Sequence, residues 1–124
     1  MLGVDVVSID RLRRRLESSP GLEARLFTAG ERAHCRAQAD PAQSFAGTLA
    51  AKEAVIKALR LGPLVAWARR VEITRDPSGA PRARVGDREV EVSISHDGGV
   101  AVGAALALPH DAFFGPGTAD RGLD

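Results

Sequence analysis

Apolar positions repeat along this chain with two periods, helical in the first half and alternating in the second. Met1–Val7, MLGVDVV, is a short apolar run that predicts a buried strand, interrupted by Asp5. Ile9, Leu12 and Leu16 then fall on one helical face, so a helix is predicted from Ile9 to about Ser18 with Ser8 as its cap. Ser19-Pro20-Gly21 ends it, and Leu22, Leu26 and Phe27 make a short apolar segment. Thr28 followed three residues later by Glu31 matches a capping box. The helix that it opens is expected to run to about Ala39 and to stop at Asp40-Pro41. A longer helix follows, from about Ala42 to Leu61, closed by Gly62-Pro63. Phe45, Leu49, Ile56 and Leu59 cluster on one of its faces, while Ala46, Gly47, Ala50, Ala51, Ala54 and Ala58 cover much of the rest. Such a helix is expected to be covered nearly all round.

Beyond a connection at Leu64–Arg69, which holds the only Trp, Trp67, the period changes to two. Val71–Thr74 alternates, a turn is written at Asp76–Pro81, and Ala83–Val85 is a short strand ended by Gly86-Asp87. Val90–His96 alternates cleanly, with Val90, Val92 and Ile94 on one side and Glu91, Ser93 and Ser95 on the other. Asp97-Gly98-Gly99 is a hairpin turn, and Val100–Leu108 returns as a strand rich in small residues. The order β-α-α-α-β-β-β-β predicts an α+β fold, with helices packed on one face of a mainly antiparallel sheet. Residues 1–108 read as one domain and 109–124 as a mobile C-terminal tail.

Composition narrows the class of protein. A length of 124 residues suits one domain with one core, and 44% hydrophobic with 27% charged residues is ordinary for a soluble globular protein. A net charge of +1 and 4% aromatic residues argue against a nucleic-acid role and against a membrane surface. One cysteine, Cys35, cannot form an intrachain disulfide, which favours a reducing, cytoplasmic setting. Met1–Val7 is too short and lacks the basic start of a signal peptide, and no apolar run reaches the roughly 20 residues needed to span a bilayer.

Charge chemistry draws attention back to the long helix. The chain carries 15 Arg and two Lys, and both lysines, Lys52 and Lys57, lie on that helix around Glu53. In so Arg-biased a chain, retained lysines suggest a need for a compact ammonium rather than a planar guanidinium. Glu53, Lys57 and Arg60 form the helix's one narrow polar stripe; the i,i+4 spacing of Glu53 and Lys57 also suits a plain helix ion pair. Lys52 falls among the large apolar residues, beside Phe45 and Ile56, and must there snorkel or meet an anion. Asp5 needs a partner or a metal if it faces the interior, or else lies at the strand end facing water. Two carboxylates with lysines nearby suit Mg²⁺ and a phosphate-bearing substrate. Of the three histidines, His34 reads as a surface residue and His110 lies in the tail. His96, at a strand end beside a Gly-rich turn, is the one placed for a ligand.

Three stretches together resemble one family. Gly3-Val4-Asp5-Val6-Val7-Ser8-Ile9-Asp10-Arg11 resembles the N-terminal motif of the holo-acyl-carrier-protein synthases, the small 4′-phosphopantetheinyl transferases. Phe45–Ala58, ending in Lys52-Glu53-Ala54 and Lys57, resembles their second motif, and Val92-Ser93-Ile94-Ser95-His96 their late strand. The resemblance covers about residues 1–108. It implies the 4′-phosphopantetheinyl transferase fold, usually a homotrimer with active sites between subunits. It also implies transfer of phosphopantetheine from coenzyme A to a serine of an apo acyl carrier protein, releasing 3′,5′-adenosine bisphosphate. Mg²⁺ would be held by Asp5 and Glu53, and Glu53 would act as base toward the serine. Lys52 and Lys57 would contact phosphates, one of them protonating the leaving group, and His96 would contact the nucleotide end of coenzyme A. Arg11, Arg14 and Arg15 would meet the acidic helix of the carrier protein. The chain departs from the family at Thr48, commonly Arg, and at Ser8, often Glu. Those departures motivate an alternative, a non-catalytic module of the same fold that binds carrier protein or coenzyme A. A plain structural or oligomerisation domain is the third reading.

Overall fold

A computed structural model describes residues 1–109 of the chain. The tail expected at 109–124, with His110, lies outside the described residues apart from Pro109. The elements are β1 (Leu2–Ser8), α1 (Ile9–Ser18), α2 (Leu22–Leu26), α3 (Ala29–Arg36), α4 (Pro41–Leu59), α5 (Leu64–Trp67), β2 (Val71–Arg75), β3 (Pro81–Val85), β4 (Arg88–Asp97) and β5 (Val100–Leu106). The five strands form one sheet in the order β1-β5-β4-β3-β2, with every neighbouring pair antiparallel. The α+β reading is therefore correct. Among the described residues, no helix is long and apolar enough to cross a membrane.

Local signals set most boundaries. The Ser8 hydroxyl accepts from the Arg11 amide and opens α1. Thr28 and Glu31 close the full capping box, Thr28 Oγ1 accepting from the Glu31 amide and Glu31 Oε1 from the Thr28 amide. Helix α3 stops at Arg36, short of the expected Ala39, because Ala37 and Gln38 bond back only three residues and Asp40 must be extended to cap α4. The connection after α4 contains the short helix α5, where Arg70 stacks on Trp67 at 4.3 Å.

α4 is the element around which the rest is packed. On one side it closes a core with Ile9, Leu12, Phe27, Cys35 and Phe45, where the Phe27 and Phe45 rings lie 4.7 Å apart and tilted. On the other it covers Val71, Ile73, Ala83, Val90 and Ala105 of the sheet. Against β1 and β5 the approach is backbone to backbone. A Cβ on Gly3 would lie 1.9 Å from Ala54 O, and one on Gly103 would lie 2.4 Å from Ala50 C and Ala51 N. Only glycine fits at these two positions, and alanines face them across the gap.

That approach changes the reading of β1. Period two turns Gly3, Asp5 and Val7 toward α4, so Leu2, Val4 and Val6 point out of the other sheet face and are 77%, 56% and 58% exposed. β1 is an edge strand with a bare apolar face, where a buried strand was expected.

The C-terminus of α4 turns at Arg60, with φ of 55°, and the Leu61 amide closes a six-to-one bond on Ile56 O. A side chain in this left-handed conformation costs about 1 kcal/mol. Arg60→Gly should therefore raise stability by roughly 0.5 kcal/mol after the entropy gained by the unfolded chain; chemical denaturation against the parent protein measures it.

Candidate active site

Asp5 and Glu53 come from the two elements in closest approach. Asp5 is opposite Gly103 in the β1–β5 ladder, two residues along the inward row from Gly3. Glu53 leaves α4 between the alanines that pack on that strand pair. Lys57, one turn further, donates from Nζ to Asp5 Oδ1 at 2.9 Å and to the Val4 carbonyl at 3.0 Å. The lysine thus bridges to the strand carboxylate, and the i,i+4 pairing with Glu53 is not the bond that it makes.

The electrostatics follow from this crowding. Glu53 is pushed up from the ordinary carboxyl value of 4.5 to about 7, first by burial, then by the negative charge of Asp5 and the hydrogen bond shared with it; Lys57 opposes the rise. Lys57 is held above the ordinary lysine value, chiefly by its hydrogen bond to Asp5. Two carboxylates with one ammonium are short of positive charge. Among the described residues no cluster of three or more His, Cys, Asp or Glu gathers as a ligand set. The donors on hand are two hard carboxylate groups, and this suits Mg²⁺, which takes one or two protein carboxylates and fills its other positions with phosphate oxygens and water.

The other expected site residues are distributed differently. Lys52 is the correction: its side chain is 0% exposed, and its ammonium is bonded to Glu31 inside the protein rather than facing a phosphate. The anion that the apolar face demanded is a protein carboxylate. Glu31 was legible only as a cap residue, yet it is also the one acid of α3, the helix stacked on that side of α4. Thr48, one turn before Lys52, is 2% exposed with Oγ1 3.5 Å from Cys35 Sγ, so nothing at that position opens toward a ligand.

His96 ends the inward row of β4 and meets Gln43, with Nε2 of each 3.2 Å apart. Gln43 carried no mark in the sequence. A cavity of about 420 Å³ lies there, with Asp10, Arg13 and Asp40 in its wall. Gln43 and Glu53 are ten residues apart on α4, about 15 Å along the axis. Within one chain, His96 and the carboxylates are therefore separate loci. On α1, Arg13 turns back to Asp40 at 3.0 Å, whereas Arg11, Arg14 and Arg15 are exposed and make no ion pair among the described residues. α1 follows directly on β1, the strand that carries Asp5.

The α+β domain thus presents a strand carboxylate, a helix carboxylate and a lysine together at one seam. Residues 1–107 match the family model described as the 4′-phosphopantetheinyl transferase superfamily, and the chain belongs to that family. It is similar to the holo-[acyl-carrier-protein] synthase of Moorella thermoacetica, 40% identical over 90% of this chain and 94% of that protein. It is also similar to the crystal structure of Helicobacter pylori holo-[acyl-carrier-protein] synthase in complex with coenzyme A. That likeness has a TM-score of 0.72 at 27% identity and covers 86% of this chain and 98% of the other. The synthase from Bacillus anthracis, in complex with CoA (3′,5′-ADP), gives a TM-score of 0.73 at 27% identity over 84% of this chain and 91% of the other.

The raised Glu53 value has a definite sign. Below about pH 4.5 the carboxyl is protonated in folded and unfolded chains alike; between there and about 7 the folded state resists its ionisation, so stability falls as pH rises through that window. In metal-free protein, Glu53→Gln should raise Tm at pH 8 and leave it unchanged at pH 4. Calorimetry at the two pH values checks this, and equal shifts at both would refute the assignment.

Proposed function

We propose that this chain transfers 4′-phosphopantetheine from coenzyme A to a serine of an apo acyl carrier protein, releasing 3′,5′-adenosine bisphosphate, with Mg²⁺ at Asp5 and Glu53. The observation that carries it is the meeting of Asp5, Glu53 and Lys57 at the seam of β1 and α4. Names of the relatives and their coenzyme A complexes support the same substrate class.

In this reading the serine oxygen forms a bond to the pantetheine-side phosphorus, and the bond from that phosphorus to the bridging oxygen breaks. Bound Mg²⁺ would offset pyrophosphate charge and polarise the phosphorus centre. Glu53 accepts the serine proton directly or through a water. Lys57 sits on the phosphate side and neutralises charge that grows on the departing oxygen. His96 and Gln43 hold the nucleotide end of coenzyme A, and Arg11, Arg14 and Arg15 receive an acidic helix of the carrier protein. A reducing cytoplasm suits the buried free thiol of Cys35.

The bare face of β1 supports assembly. Leu2, Val4 and Val6, with Leu106 on the neighbouring strand, form an apolar strip on an unpaired edge strand, a surface that a soluble chain covers by association. A homotrimer with sites between subunits would cover it, and would let the His96 locus of one copy serve the carboxylates of another.

Incubation with coenzyme A, Mg²⁺ and a panel of apo carrier proteins should raise one carrier's mass by a single phosphopantetheine; chelation of the metal or Glu53→Gln should abolish the shift. Unchanged masses across the panel would refute the activity. Val4→Lys should convert the assembly to monomers in sedimentation and cut transfer at least about tenfold; a wild-type protein that sediments as a monomer would overturn the assembly.

A further inference from the structure

One charged pair lies outside the chemistry so far. Lys52 and Glu31 are both fully out of water, and burying two such groups is costly unless each is well satisfied. Glu31 is satisfied from several directions. Its Oε1 accepts from the Thr28 amide at 2.8 Å and from Lys52, and its Oε2 accepts from the Ile73 amide at 2.7 Å. Thr28 Oγ1 in turn donates to Glu72 Oε2 at 2.9 Å. The carboxylate is thus fixed by the cap of α3 and the backbone of β2 before α4 contributes anything. Lys52 is the α4 side chain that bonds to this carboxylate among the described residues.

Against β1 and β5, at the same level, α4 meets the sheet through small residues. Ala50, Ala51 and Ala54 lie against the backbones of Gly3 and Gly103. Such a seam permits very close approach but offers few knobs to oppose rotation of the helix about its axis. A pair of opposite buried charges is directional, and its loss on rotation would leave both uncompensated. Registry is the best-attested use of buried polar groups. Lys52 is also the residue immediately before Glu53, so any turn of the helix at Lys52 moves the Glu53 carboxylate relative to Asp5.

We propose that Lys52, tied to Glu31, is a positioning residue: it sets the rotation of α4 that brings Glu53 and Lys57 to Asp5. This rests on the transferase reading above. The test replaces the pair by uncharged groups of similar size, Lys52→Met with Glu31→Gln, the glutamine retaining an oxygen for the Ile73 amide. The double variant should stay folded. Its kcat should fall about ten- to a hundredfold, the scale on which small misplacements act, with KM for coenzyme A changed less than about twofold. Its affinity for Mg²⁺ alone, read by titration calorimetry, should weaken about tenfold. Wild-type-like kcat and Mg²⁺ affinity in the folded variant would overturn the proposal. So would a raised KM with kcat and Mg²⁺ affinity intact, since Lys52 would then act on the coenzyme. If the double variant does not fold, Lys52→Gln with Glu31→Gln, which leaves no buried charge and allows a hydrogen bond between the two side chains, supplies the same readouts below its melting temperature. Wild-type protein in the same assay separates the two claims: no transfer by wild type refutes the transferase reading, whereas full transfer by the variant refutes only the tie.

Discussion

The close contact of α4 with the β1–β5 strand pair is the constraint on which the other features depend. Helix and sheet normally stand apart by the size of their side chains; here glycines at 3 and 103 remove one layer and alanines at 50, 51, 54 and 58 thin the other. The gain is reach. A carboxylate on a strand and one on a helix come near enough to repel each other, and a lysine one turn along the helix can bridge back to the strand. Had either glycine been larger, backbone would collide with side chain, and the two acids would stand too far apart to share one cation.

The same contact explains how charge is divided on α4. Lys52 and Lys57 are chemically alike and five residues apart, yet their surroundings give them opposite duties. Lys57 lies at the exposed seam, where Asp5 holds its proton more firmly. Lys52 lies on the side covered by α3, where burial favours loss of the proton and lowers its pKa while Glu31 opposes that fall. One lysine meets the strand carboxylate at the seam; the other is internal structure.

Much of the fold was legible because it is written locally. Ser8, Thr28–Glu31 and Asp40-Pro41 mark helix starts by hydrogen bonds that reach only a few residues. The alternation of Val90, Val92 and Ile94 marks the inward row of β4. Asp5, Glu53 and Lys57 could be selected as a group from residue type and motif. Local signals failed where tertiary partners decide: α3 ended early because the next helix needed Asp40, and the apolar β1 proved to be an edge with one bare face.

By itself, then, the sequence determined the element order, the α+β class and the candidates for phosphate chemistry, since periodicity and capping are short-range properties. The tertiary structure alone decided which lysine pairs with Asp5 and which is sealed with Glu31. It also decided that His96 stands with Gln43 at the far end of α4. Helical spacing puts a side chain on a face; what covers that face depends on residues 20 to 50 positions away, whose approach only the packed chain sets.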